Sequence, residues 1–156
     1  MPGTGEMIGR LVLAGVLGGL IGFEREYRAK DAGTRTHLLV AIGAALMMIV
    51  SRWGFDGTGD PSRVAAQIVS GIGFIGAGSI IVNRHTVHGL TTAAGLWVAA
   101  GIGMTIASGL YVIGITATAL SLVGLETLGW IFPIHRASRR RQKNARAAAD
   151  EARTVL

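Results

Sequence analysis

Cysteine is absent from this chain, which removes disulfides, thiolate metal sites and thiol nucleophiles at the outset. Charge is scarce too: 15% of the residues carry one, and no carboxylate lies between Asp60 and Glu126. From Leu90 to Leu125 there is no Asp, Glu, Lys or Arg. A charge-poor stretch of that length does not describe the half-exposed elements of a soluble domain. The amino terminus lacks both a basic region ahead of an apolar core and a small-residue cleavage site. The first apolar run is therefore expected to be retained rather than removed as a signal peptide. No spacing matches a zinc site, a nucleophile elbow or a phosphate loop, so the expectation is a protein that is not an enzyme.

What is present points to lipid. Half of the 156 residues are hydrophobic, 24 are glycine, and the mean hydropathy is +0.49. Such blocks describe an all-α, polytopic membrane helix bundle. The net charge of +6 and a pI near 11.1 raise nucleic acid as a partner, because basic patches attract phosphate. Here the basic residues flank apolar blocks and collect in one terminal tail. That distribution argues for a lipid bilayer and against nucleic acid.

The stretch GIGFIGAG, Gly71 to Gly78, organises the chain. Gly71, Gly73 and Gly76 spell GxGxxG, but the dinucleotide fingerprint needs a preceding buried strand and an acidic residue ~20 positions on. Neither is present. Gly71, Gly73, Gly76 and Gly78 read instead as helix-packing positions where small residues admit another backbone, or as a locally unwound helix.

Five transmembrane helices are expected. The first apolar block is Met7 to Phe23, with Arg10 near one end where it can snorkel to headgroups. The second runs from His37 to about Phe55, with Trp53 and Phe55 as interface anchors. After a turn at Asp56 to Arg63 the third covers Val64 to Val82. A loop, Asn83 to Gly89, leads to an uncharged run long enough for two spans, broken near Ala107, Ser108 and Gly109 and ending around Phe132. This gives a transmembrane domain at 1–134 and a basic tail at 135–156, helical in part or disordered. One side of the membrane holds Arg25, Arg28, Lys30, Arg35, Arg84 and the tail; the other holds only Arg52 and Arg63. The positive-inside rule then puts the amino terminus outside and the carboxy terminus in the cytoplasm. The tail either binds anionic headgroups or serves as a plain stop-transfer segment.

Two pairs of segments resemble each other. GLIG at Gly19 and GFIG at Gly73 are 54 apart; GTRTH at Gly33 and GLTTA at Gly89 are 56 apart. A duplicated two-helix unit plus a fifth helix would produce this pattern, and so would coincidence in glycine-rich apolar sequence. The glycine-rich faces also point to a homo-oligomer, most simply a dimer.

The polar residues of interest gather at the expected cytoplasmic face. Glu24, Arg25 and Glu26 follow the first span, Arg35, Thr36 and His37 open the second, and Thr91 and Thr92 open the fourth. The threonines suit helix caps. Glu24 and Arg28 stand at i,i+4 spacing. Glu24 or Glu26 with Arg35 would make a partly desolvated ion pair joining two helix ends. The carboxylates of Glu24, Glu26 and Glu126 are also the ligand type that Mg2+ takes. Glu126 falls in an otherwise uncharged block, where an ionisable group is by default a functional candidate, with snorkelling or pairing to a basic residue as the plain alternative. His37 and His88 would add nitrogen ligands, which favours a transition metal over magnesium.

With GLIGFERE (Gly19 to Glu26), AGTRTH (Ala32 to His37), QIVSGIGFIGAG (Gln67 to Gly78) and GLTTAAGLW (Gly89 to Trp97) in that order, the sequence resembles the MgtC/SapB family of bacterial membrane proteins. The resemblance implies a small multi-span protein of the bacterial plasma membrane, associated with magnesium transport, growth in low magnesium and survival of pathogens inside host cells. It also implies a second role, regulation of membrane energetics by docking on another membrane complex such as the F-type ATP synthase. The family's motif residues fall on Glu24, Arg25, Glu26, Arg35, Thr36, His37, the glycines of the third span, Thr91, Thr92 and Trp97. Two features depart from the family. Many relatives carry a soluble ACT-like carboxy-terminal domain where this chain has its basic tail, and Thr34 stands where an apolar residue is expected.

Overall fold

The computed structural model describes residues 1–55, 60–84 and 86–131. The first half of the Asp56 to Arg63 turn, the basic tail and the domain boundary expected at 134/135 lie outside them. The elements in order are α1 (Thr4–Tyr27), α2 (Thr34–Trp53), α3 (Pro61–Gly78), a hairpin of β1 (Ile81–Asn83) and β2 (Thr86–His88), α4 (Leu90–Ala107) and α5 (Tyr111–Ile131). Two units are formed, Met1–Leu122 and Val123–Leu156. Of the second, the described part is the end of α5, on which Glu126 is exposed.

The first unit is built on α1, α2 and α4, and its burial pattern is that of a helix bundle in lipid. On α1 the stripe Arg10, Ala14, Leu17, Ile21 and Arg25 is buried, at the three-to-four residue spacing of one helix face. Ile8, Val12, Val16 and Leu20 occupy the opposite face and are exposed. The inner face therefore holds glycines, Ala14 and two arginines beside Leu17 and Ile21, while large apolar residues line the outer face, which in water would be polar. Helices α1, α2 and α4 are each long and apolar enough to cross a membrane. Five helices thus stand where five spans were expected, and among the described residues three meet that standard. Of the 21 residues of α5, the stretch Tyr111–Glu126 has its side chains described, and that stretch is apolar but shorter. Helix α3 has 18 residues but starts with Pro61, Ser62 and Arg63, and carries Gln67.

Glycine sets how closely the three central helices approach. A Cβ on Gly18 would stand 2.5 Å from the Ala41 Cβ and 2.8 Å from the His37 carbonyl oxygen. One on Gly103 of α4 would collide with the Ala41 carbonyl from the other side. Gly22 meets Gly33 and Thr34 in the same way, its Cβ position lying 2.7 Å from the Gly33 oxygen. At these points backbone meets backbone, the geometry by which small residues let lipid-embedded helices pack.

Among the described residues of the single chain, the glycines of the third span have few neighbours. A Cβ on Gly71, Gly73 or Gly78 would meet nothing within 4 Å, and only Gly76 approaches a neighbour, Ala93, at 3.5 Å. The third block is also shorter than its hydropathy implied. The helix stops at Gly78, and Ile81 and Val82 form a strand paired with Val87 and His88. Their β-branched side chains favour extended backbone. Gly89 returns the chain to α4 at φ +85, where an L side chain is strained and would strike the Ser79 oxygen. In both segments of the proposed repeat the glycine, Gly33 or Gly89, is the N-cap of the next helix.

Candidate functional site

At the end of the bundle where α1 turns into α2, the motif residues come together. Arg25 is 3% exposed and His37 fully buried, so both are held inside the unit rather than on its rim. His37 reaches this position because it lies one turn into α2, on the face that Gly18 and Gly22 bring against α1. Its Nδ1 is 3.0 Å from the Gly33 carbonyl oxygen. A carbonyl only accepts, so Nδ1–H donates, and Nε2 of the neutral ring is left as an acceptor. That Nε2 is buried with no hydrogen-bond partner. Gly95 of α4 leaves room for it, since a Cβ there would sit 3.0 Å away. Thr92, one turn earlier on α4, is buried at 4% exposure.

Glu24 supplies the negative charge. One carboxylate oxygen lies 2.5 Å from Arg28 Nε and the other 3.4 Å from Arg25 Nε. Neither contact is aligned as a hydrogen bond, so Glu24 Oε1, Oε2 and Arg25 Nε remain buried polar atoms held by charge alone. The i,i+4 pair with Arg28 is the one expected from the sequence. The pair of Glu24 or Glu26 with Arg35 is not formed. Glu26 instead accepts from the Thr34 backbone N–H at 2.9 Å, capping α2 from the preceding helix. The threonines do not cap: Gly33 and Gly89 hold the N-cap positions without side-chain hydrogen bonds. Thr36, Thr91 and Trp97 are exposed, as is Arg35, which with Thr36 lines an open groove between α2 and α3.

Glu24, Glu26 and Glu126 were the candidate carboxylate ligands for a cation. Among the described residues no group of three or more His, Asp and Glu side chains comes together to hold a metal ion. His88, the other nitrogen donor considered, is exposed on β2.

A second polar network occupies the opposite end of the unit and was not foreseen. Arg10, 8% exposed, does not snorkel. Its Nη1 donates to the Ala107 carbonyl at 2.6 Å, its Nε donates to the Tyr111 hydroxyl at 3.0 Å, and its Nη2 donates to the Glu6 carboxylate. The guanidinium also lies over the Trp53 ring, 5.2 Å from its centroid. Arg52 donates to the next carbonyl, Ser108, at 3.1 Å. Two cations thus satisfy carbonyls that the end of α4 leaves unpaired, where the helix dipole favours positive charge. The sequence signal was an arginine and a glutamate at i,i+4 inside an apolar helix.

Long apolar helices with an inverted burial pattern and ionisable groups buried at both ends define a helical membrane protein. Within that class, residues 11–133 match the MgtC family, and the chain belongs to it. It is 53% identical over 130 residues to a protein of Escherichia coli (strain K12) named "Putative magnesium transporter YhiD", covering 79% of this chain and 60% of that one. It is 54% identical over 95 residues to Protein MgtC of Brucella abortus (strain 2308), covering 61% and 40%. With Protein MgtC of Salmonella typhimurium the identity is 47% over 112 residues, covering 72% and 48%. The chain spans 40–60% of the length of these relatives. No solved structure matches.

Proposed function

We propose that the protein acts in magnesium or divalent-cation homeostasis in the bacterial plasma membrane, amino terminus outside, with Glu24, Arg25 and His37 as its functional centre. The observation that carries this reading is the set of buried polar atoms without aligned partners on these three residues. Burying a charge or an unpaired acceptor costs stability, and inside apolar helices such groups are retained for use. Family membership supports the link to magnesium, as does the name given to the E. coli relative.

Glu24 is the carboxylate we assign to the cation. Glu26 is committed to capping α2, whereas Glu24 is held by charge without aligned hydrogen bonds. A cation arriving at Glu24 would displace Arg28, so binding and the ion pair compete. Purified protein titrated with magnesium tests this, because a ligand that binds only the folded state raises its melting temperature. The melting temperature rises with magnesium in the wild type and stays flat in Glu24→Gln. A flat response in both, with low-magnesium growth equally supported by both, overturns the reading.

A second reading, a non-transporting regulatory protein that docks on another membrane complex, is favoured by the centre of the bundle. Gly18 closes there on the Ala41 methyl and the His37 carbonyl, and Gly103 on the Ala41 carbonyl, which leaves no room for an ion between α1, α2 and α4 at that level. Crosslinking in native membranes separates the two: one abundant foreign partner supports docking, and self-crosslinks alone support a transporting homo-oligomer.

A further inference from the structure

The groove between α2 and α3 plays no part in that reading. It is an open cavity of about 560 Å³, floored by Ala100 of α4. Glycine creates it: a Cβ on Gly43 of α2 or Gly71 of α3 would meet nothing within 4 Å. Its walls are apolar except at one end, where Arg35 and Thr36 stand exposed on the first turn of α2.

Length and charge together select an occupant. From Arg35 to Met47 the α2 wall runs about 18 Å at ~1.5 Å per residue. That is close to one leaflet, half of a hydrocarbon core of about 30 Å. A transmembrane helix from a partner would need the full thickness, whereas an acyl chain needs one leaflet. At the polar end a guanidinium, a hydroxyl and the positive end of the α2 dipole favour a phosphate, offset in part by Glu26 on the Thr34 N–H. We infer that the groove holds an acyl chain of an anionic phospholipid whose phosphate sits at Arg35 and Thr36. Bound lipid then fills the space that Gly43 and Gly71 leave between α2 and α3.

The test uses the full chain in detergent, titrated with phosphatidylglycerol, with phosphatidylcholine of the same acyl chains, or with inorganic phosphate, and read by native mass spectrometry and thermal stability. Phosphatidylglycerol binds tighter than phosphatidylcholine by about five-fold, the worth of one basic side chain at a lipid surface. Arg35→Gln removes this preference and keeps uptake of both lipids. Gly43→Leu and Gly71→Leu fill the groove and bring uptake of both to background. Gly43→Ala is a smaller intrusion that lowers uptake partly, and it keeps the test decisive where a leucine variant does not fold. Three results overturn the inference: equal binding of the two lipids by the wild type, stabilisation by inorganic phosphate alone to the same extent, or full uptake in the Gly43 and Gly71 variants. Loss of a dimer in place of lipid on filling the groove would also overturn it, by assigning the groove to a second copy.

Discussion

Substituting Gly103 by alanine tests the packing on which everything else rests. Alanine in a helix interior is favoured over glycine by about 1 kcal/mol, so propensity alone predicts a more stable protein. Against that, the new Cβ would collide with the Ala41 carbonyl oxygen and lie 3.0 Å from its carbon, both backbone atoms of α2. Backbone cannot rotate away as a side chain can, and Gly18 presses on the same residue from α1. Overpacking of a tight core costs about 1–3 kcal/mol, and a backbone collision belongs in the upper half of that range. Gly103→Ala is therefore expected to lose about 1–2 kcal/mol net of the propensity gain. Gly101→Ala, two residues away, meets nothing within 4 Å and is expected to gain up to about 1 kcal/mol. Denaturant unfolding of the two variants in one detergent gives the comparison. If Gly103→Ala proves as stable as Gly101→Ala, the close approach of α2 and α4 is refuted.

Three further outcomes follow from single contacts. Arg10→Leu removes the donor to the buried Ala107 carbonyl and is expected to cost about 2–3 kcal/mol in the same unfolding assay. Arg10→Lys does not restore it, because an ammonium cannot make the forked contacts to Ala107, Tyr111 and Glu6. Glu26→Ala frees the Thr34 N–H, which then exchanges its hydrogen faster, whereas Glu26→Gln keeps an acceptor and leaves exchange nearly unchanged. At the start of α3, the Ser62 hydroxyl and then its backbone N–H hold the Asp60 carboxyl below the usual carboxylate range. A depressed value means that the cap is fully present above the ordinary Asp range and lost as pH falls through the lowered value. Ser62 amide exchange is expected to accelerate across that acidic window, and Asp60→Asn to abolish the dependence.

The sequence made the class legible because lipid imposes a coarse rule. Charge must leave the spans, and its absence from Leu90 to Leu125 marks them whatever the packing. The location of α4 followed from that, and those of α1 and α2 from apolar blocks whose charges sit near their ends. Gathering of the motif residues was legible in part, as Glu24, Arg25 and His37 do share one end of the bundle. Their pairings were not, because they depend on which face of each helix turns inward. Arg25 points into the unit and Glu26 out of it, although they are adjacent. What the third-span glycines face was not legible for the same reason. Gly71, Gly73 and Gly78 have the spacing of a packing face, but spacing cannot show whether a neighbour lies opposite.

Arg10 shows where such reasoning fails and why the failure is informative. A charged residue a turn or two inside a span has two outlets, water at the interface or a carbonyl left unpaired by another helix. Hydropathy sees only the first: a break near Ala107 was legible, but not that it lies beside α1. Once that is known the choice is decided by numbers of bonds, since the guanidinium finds a carbonyl, a hydroxyl and a carboxylate at one place. The same accounting separates the two ends of the bundle. At the Arg10 end each of the three Arg10 guanidinium nitrogens has an acceptor, so that side chain ties helix ends together. At the Glu24 end the charges oppose one another without aligned bonds and His37 Nε2 faces Gly95 alone. Buried groups without aligned partners can still gain from a cation or a proton, which is why the proposed function is placed on Glu24, Arg25 and His37.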